Sequence, residues 1–300
     1  MALAVDVKRR RRTEALWGYA FLTPQLIGLI AFMVGPLVFA IVLSFSSWDG
    51  LGSRTFVGLQ NFIGVWQDAQ LRQSWLNTAW FTALQVPGLL ITGFFFAFFI
   101  QKAGRLTPFY RIFFFAPQVT STVAVGAIWL WLLNPEISPI NSLLKSLGLP
   151  NPPDWLQNPR TAIPAIVVVS IWQGLGYMIV MFVAGLQNIS PTLMEAADID
   201  GASEWQKLRR ITVPLLSPTI LFLSITSIIG SFQVFDYIYF FFDTTAPANA
   251  HTIVYDIVNF AFRQFKFGFA AAIAVYLFLI LLVLTGLQFL AQKRWVHYTE

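Results

Sequence analysis

The sequence predicts an all-α polytopic membrane protein of six helices, and composition, run length and charge placement carry that reading. Of 300 residues, 57% are apolar and 11% charged, with 30 Phe and 11 Trp, whereas a soluble domain carries about 25% charge. Six apolar runs, at 17–46, 75–101, 109–133, 161–187, 214–242 and 267–291, reach the roughly 20 residues that a helix needs to cross about 30 Å of hydrocarbon. The basic residues sit at the ends of these runs and not on a separate polar domain. A net charge of +5 therefore reads as a topology signal, with the bilayer and not nucleic acid as the partner.

The first run follows Lys8, Arg9, Arg10, Arg11 and Arg12, the pattern of a signal-peptide n-region. Its apolar stretch is too long for one and has no small-residue cleavage site, so it reads as a retained helix behind a basic segment, 1–16. Pro24, Pro36, Pro87, Pro117 and Pro218 fall in or near the runs, which a bundle tolerates where neighbours satisfy the freed carbonyls. Counting Lys and Arg on alternate sides of six spans places 13 with the N-terminus, Lys102, Arg105, Arg111, Lys207, Arg209, Arg210, Lys293 and Arg294 among them. The other side has six. The positive-inside rule then puts both termini, including 292–300, in the cytoplasm. The longer outer loops, 47–74 and 134–160, are punctuated by Trp and Pro. With no Cys, and with only His251 and His297, no disulfide framework, metal cluster or Cys/His nucleophile pair can form. Residues 17–291 read as one transmembrane domain without repeats.

The inner loop between the fourth and fifth runs, 190–213, departs from this apolar pattern. Ser190 and Pro191 read as an N-cap and first helical residue, and the helix they start runs to Gly201. Ser203 and Gln206 form a capping-box pattern that launches a second short helix, which Pro214 is expected to end. Trp205, Leu208 and Ile211 share one stripe of that helix, with Lys207 and Arg210 pointing elsewhere. So short a helix is marginal alone and must pack on something. One reading is a helix on the lipid interface; the other is a knob that fits a soluble partner, rimmed by Glu195, Asp198, Asp200, Lys207, Arg209 and Arg210.

The stretch "EAADIDGASEWQKLRRITVPLLSP" resembles the EAA motif of permease subunits of binding-protein-dependent ABC importers, at Glu195, Ala196, Ala197, Asp200, Gly201, Ala202, Ile211 and Pro214. Further stretches, "APQVTSTVAVGAIWLWLLNP", "IWQGLGYMIVMFVAGLQNISPTLMEAA" and "SFQVFDYIYF", are similar to the carbohydrate-uptake branch, which includes maltose, oligosaccharide and glycerol-3-phosphate permeases. The family often has Gly-Gly-Pro after the fifth span, where this chain reads "DTTAPANAHT" at 243–252. The resemblance implies a type I importer permease fold in a bacterial or archaeal plasma membrane. It implies a second permease, similar but distinct, and an extracytoplasmic solute-binding protein that delivers a sugar-like solute. It also implies that the EAA helices, with Trp205 and Leu208, couple to a cytoplasmic ATPase dimer that holds ATP and Mg. Independently, none of the six lysines follows a glycine, so the chain lacks a P-loop and binds no cofactor of its own. It reads as a transport subunit and not an enzyme.

Helical rise places Tyr177, Ser227 and Ser231 near the bilayer midplane, with Gly174 close by. These groups either line a solute pathway or let helices pack closely; the resemblance favours the pathway for Gly174, Tyr177 and Ser231. Asp236, the only carboxylate well inside a run, and Gln233 read either as pathway residues or as loop braces near the outer interface. An ion-coupled secondary transporter, the alternative function, would want midplane ionisable groups and repeat symmetry. A membrane-embedded enzyme would want paired carboxylates or a nucleophile motif. Neither set is evident.

Overall fold

The computed structural model describes residues 2–101, 104, 107–242 and 246–296, and leaves the side chains of 2–12, 107 and 111 undescribed. Lys102, Arg105, His297 and residues 243–245 lie outside the described residues. Contacts divide the chain into two units, one of residues 1–65 with 260–275 and one of 66–259 with 276–300.

In the first unit, α1 (Ala2–Leu29) passes through a π-turn at Ile30–Val34 into α2 (Gly35–Ser44). The turn widens because the Pro36 ring clashes with the carbonyl four residues back; the Gly35 N–H donates instead to the Ile30 carbonyl, five back. After α2 the chain makes a short hairpin of two-residue strands, Ser46–Ser47 with Thr55–Phe56, a feature the all-α expectation did not contain. Asp49 accepts from the N–H groups of Gly52 and Leu51 at 2.8 and 3.0 Å. Those bonds hold its carboxyl below the usual range.

The second unit is built on two long helices, α4 (Ala69–Gln101), which follows α3 (Gln60–Gln67), and α8 (Ala162–Gln187). Phe81, Ile166, Ile238 and Phe241 form one buried cluster and Leu89, Ile179, Phe182 and Leu223 another. Lipid is as apolar as these side chains, so close packing and interhelical hydrogen bonds, rather than escape from water, hold the helices together.

Two expected spans are interrupted. The run 109–133 is not one helix but two, α5 (Thr107–Val119) and α6 (Thr122–Leu132), meeting at 93°. Pro117 weakens the end of α5, and Ser121, extended at φ −55° and ψ 132°, occupies the N-cap position that serine favours. The run 214–242 divides into α12 (Ser217–Phe232) and α13 (Asp236–Phe242). Its cap, Gln233, has φ −93° and ψ 10°, outside the helical region, and an acid opens the next helix, as the helix dipole favours. Among the described residues, five helical stretches are long and apolar enough to cross a membrane, with Ser217–Phe242 counted as one through its break, or six if the bent α5–α6 pair is one span. The shorter elements are α7 (Pro139–Ser146), α9 (Pro191–Ile199), α10 (Glu204–Lys207), α11 (Val213–Leu215) and α14 (Ile253–Val258); α15 (Phe267–Trp295) closes the chain.

Pro214 does not end the second short helix as expected. Leu208–Thr212 form a π-turn in which the Val213 N–H reaches the Leu208 carbonyl, repeating the solution used before Pro36, and the helix continues into α11.

Candidate functional site

The 190–213 loop is two short helices locked by local hydrogen bonds. At the end of α9, the Ala202 N–H donates to the Ala197 carbonyl at 2.9 Å and the Gly201 N–H to the Asp198 carbonyl at 3.1 Å, the paired bonds of a Schellman motif. That motif needs a left-handed residue, and Gly201 supplies it with φ +71°. Two residues on, the Ser203 hydroxyl accepts from the Gln206 N–H while the Gln206 side chain accepts from the Ser203 N–H, the expected capping box.

Lys207 differs from the expected rim residue. Its ammonium lies 2.7 Å from Asp198 of α9 and also pairs with Glu204, so it braces one helix against the other. Those hydrogen bonds, Asp198 first, hold its pKa above the ordinary lysine value. The expected stripe is also divided: Trp205 is 67% exposed, and Leu208 and Ile211 are half-buried on different grooves. Ile199, whose 86% exposure sequence patterning missed, joins Trp205 as an apolar group on the outside of the loop. Ala197 is buried, and Glu195, Ala196 and Asp200 are exposed around it. Ala202 and Pro214 are half-buried.

The second candidate is a cleft of about 360 Å³ where the two interrupted spans face α8, at the lower end of small-molecule pocket volumes. Gln173 organises it. Its side-chain amide donates to the Thr120 carbonyl at the α5–α6 bend at 3.4 Å, and its oxygen accepts from the Tyr237 hydroxyl on α13 at 2.7 Å. The Val234 carbonyl, freed at the α12–α13 break, accepts from Thr252 at 2.8 Å. Both breaks thus have a freed carbonyl satisfied by a side chain, as a low-dielectric setting requires. The close approach of α5 rests on Gly176, where a Cβ would stand 2.3 Å from the Phe114 carbonyl oxygen.

Of the pathway residues named from sequence, Gly174, Ser231, Gln233 and Asp236 line this cleft. Ser231 Oγ donates to Thr82 Oγ1 at 2.9 Å. Tyr177 lies outside the cleft, 37% exposed, and Ser227 is buried with its hydroxyl lacking a hydrogen-bond partner among the described residues. Sequence reasoning used neither Gln118 nor Thr120, which also line the wall. The run Thr120-Ser121-Thr122 just after Pro117 is the signal that marks them, since Ser and Thr prefer caps to helix interiors.

Long apolar helices, a polar cleft between interrupted spans and a polar loop joining α8 to α12 define a helical membrane transport protein. Residues 89–297 match the family described as binding-protein-dependent transport system inner membrane component, and the chain belongs to that family as a permease subunit. It is 32% identical over 299 residues to the probable ABC transporter permease protein YesP of Bacillus subtilis (strain 168), covering 98% of this chain and 96% of the relative. It is also 32% identical to the lactose transport system permease protein LacF of Rhizobium radiobacter, covering 92% and 94%. A chain in the crystal structure of a bacterial ABC transporter involved in import of the acidic polysaccharide alginate shares the fold, with TM-score 0.83 and 23% identity over 98% of this chain and 99% of that one.

Proposed function

We propose that this permease subunit passes a sugar or related polyol, delivered by an extracytoplasmic solute-binding protein, through six spans with both termini cytoplasmic. The bent α5–α6 pair counts as one span. Residues 190–213 dock in a cytoplasmic ATPase dimer, which binds ATP and Mg on separate chains, and a second, similar permease completes the pathway. Glu195, Ala196, Asp200, Gly201, Trp205 and Ile211 belong to the docking loop; Gly174, Ser231, Gln233 and Asp236 belong to the solute wall.

The observation that carries this reading is the rigid pair of short helices exposing Ile199 and Trp205. An isolated helix of four or nine residues does not hold its shape, yet here a Schellman turn, a capping box and Lys207 hold both. Such preorganisation suits docking, because little entropy is lost on binding. Carbohydrate relatives such as the lactose permease support the solute class.

The chain has no cysteine, so single cysteines report sidedness and contact directly. Cysteines at Ser53, Ser146 and Asn249 should react with an impermeant thiol reagent from outside on intact cells, and one at Ser203 should not. A cysteine at Ala202 should crosslink to the ATPase. Labelling of Ser203→Cys from outside would overturn the topology, and crosslinking of Ala202→Cys only within its own bundle or to lipid would overturn the docking role.

A further inference from the structure

The cleft at the two helix breaks has an uneven chemical lining. Gln85, Gln118, Thr120, Thr122, Gln173 and Ser231 contribute amides and hydroxyls, which donate or accept as a sugar hydroxyl requires. Gln85 Oε1 has no hydrogen-bond partner among the described residues, and Phe81 and Phe235 add apolar faces to the same wall. Against these neutral groups stands one charged side chain, Asp236, exposed where α13 begins. Among the described residues, no Lys, Arg or His lines the cleft.

A carboxylate or phosphate entering this space would meet like charge and find no cation to replace its water. An anionic ligand normally demands such a partner. We propose that Asp236 makes this wall a charge filter: it admits neutral polyhydroxyl or amine-bearing sugars and rejects sugars carrying a carboxylate or phosphate. The proposal rests on the cleft being part of the solute path. It also separates fold from solute, because the chain shares its fold with a subunit of an acidic-polysaccharide importer while its own wall opposes acids.

The competing role for Asp236 is structural. An acid in the first turn of a helix faces unsatisfied N–H groups and stabilises that end. A brace of this kind would change stability without changing which charges enter the cleft.

The test uses the whole complex, with cysteines removed from the partner chains and Gln118→Cys introduced here. Rates of modification are measured with a cationic reagent, trimethylammonioethyl methanethiosulfonate, and an anionic one, sulfonatoethyl methanethiosulfonate. Ser146→Cys on the outer loop gives the reference ratio. Because Gln118 and Asp236 line one wet cleft, one carboxylate should raise the cationic-to-anionic ratio at Gln118→Cys about three- to tenfold over the reference. Asp236→Asn should return the ratio to the reference, and Asp236→Lys should invert it. A ratio that stays the same in Asp236→Asn overturns the filter, and lowered thermal stability in that variant would assign Asp236 the bracing role. If Gln118→Cys reacts with neither reagent, in resting or vanadate-trapped complex, the cleft is not on the solute path and the broader reading of the cleft fails.

Discussion

In the 190–213 loop, the bonds that fix the backbone join residues nine or fewer positions apart, the longest being Lys207 to Asp198. In the cleft, the bonds that close the wall join residues 53, 64 and 149 positions apart, through Gln173–Thr120, Tyr237–Gln173 and Ser231–Thr82. The loop therefore holds its shape through its own sequence. The cleft exists only once α4, α8 and the two interrupted spans have packed. A loop of the first kind can present a constant surface to a partner while the bundle moves, and a wall of the second kind can change when its helices do.

This difference decided what was legible beforehand. Pro191, Gly201, Ser203 and Gln206 carry helix-start, turn and cap chemistry within a few residues, so the two short helices, their glycine turn and the capping box can all be read from spacing; Ser190 takes the N-cap position but its hydroxyl pairs with Thr192 and not with the helix. The pairing of Lys207 is not legible in this way, because Asp198 lies across the turn and beyond helical i, i+4 geometry. Hydropathy also located the interrupted spans but hid the interruptions, since Phe113 to Leu132 and Phe232 to Phe242 are apolar on both sides of each break. Pro117 as a helix stop, with Thr120-Ser121-Thr122 and Asp236 as residues that favour helix starts, marks them. No spacing names the partners of Gln173, which tertiary packing alone fixes.

The largest effect is expected from Gly201→Val. A β-branched residue in a left-handed turn costs on the order of 1–2 kcal/mol and redirects α10, while nothing lies within 4 Å of the position to support a changed shape. Uptake should fall at least about tenfold and ATPase association should weaken, with membrane insertion and thermal stability of the spans retained. Full uptake by this variant would mean that the loop geometry is not what couples the chain to its ATPase.

A comparable substitution where α5 meets α8, beside the cleft, should act through packing instead. Gly176→Ala would place its methyl against the backbone of Phe114 and Phe115, at 2.3 and 2.6 Å, which neither helix can relieve by a rotamer change. A cost of about 1–3 kcal/mol should appear as a lowered Tm of the purified complex. Gly174→Ala meets only the Leu89 side chain at 3.4 Å and should leave Tm nearly unchanged. Equal responses from the two would show that α5 does not rest on α8 at Gly176.

Tyr237→Phe keeps the ring and deletes the hydroxyl that donates to Gln173. Interhelical hydrogen bonds in a bilayer contribute about 0.5–2 kcal/mol, so a double-mutant cycle with Gln173→Leu should return a coupling in that range. Zero coupling would indicate that the two interrupted spans are held by packing and not through Gln173.

The smallest effect should come from Ser203→Ala, and it bears most directly on whether the loop is self-supporting. Removing an N-cap hydroxyl costs about 1 kcal/mol, so the Gln206 amide should exchange with solvent about fivefold faster. Uptake should nonetheless persist, because Lys207 still ties α10 to Asp198 and the Gly201 turn is intact. That tie does not weaken by lysine titration near neutral pH: the Lys207 pKa is raised, so its contribution is full below the ordinary lysine value and is lost only as pH rises beyond it. Adding Lys207→Met should then remove the second support, and exchange across 203–207 should accelerate by more than the product of the single effects. If Ser203→Ala alone abolished uptake as Gly201→Val is expected to, the loop would depend on one bond and not on a redundant local set, and its contrast with the cleft would disappear.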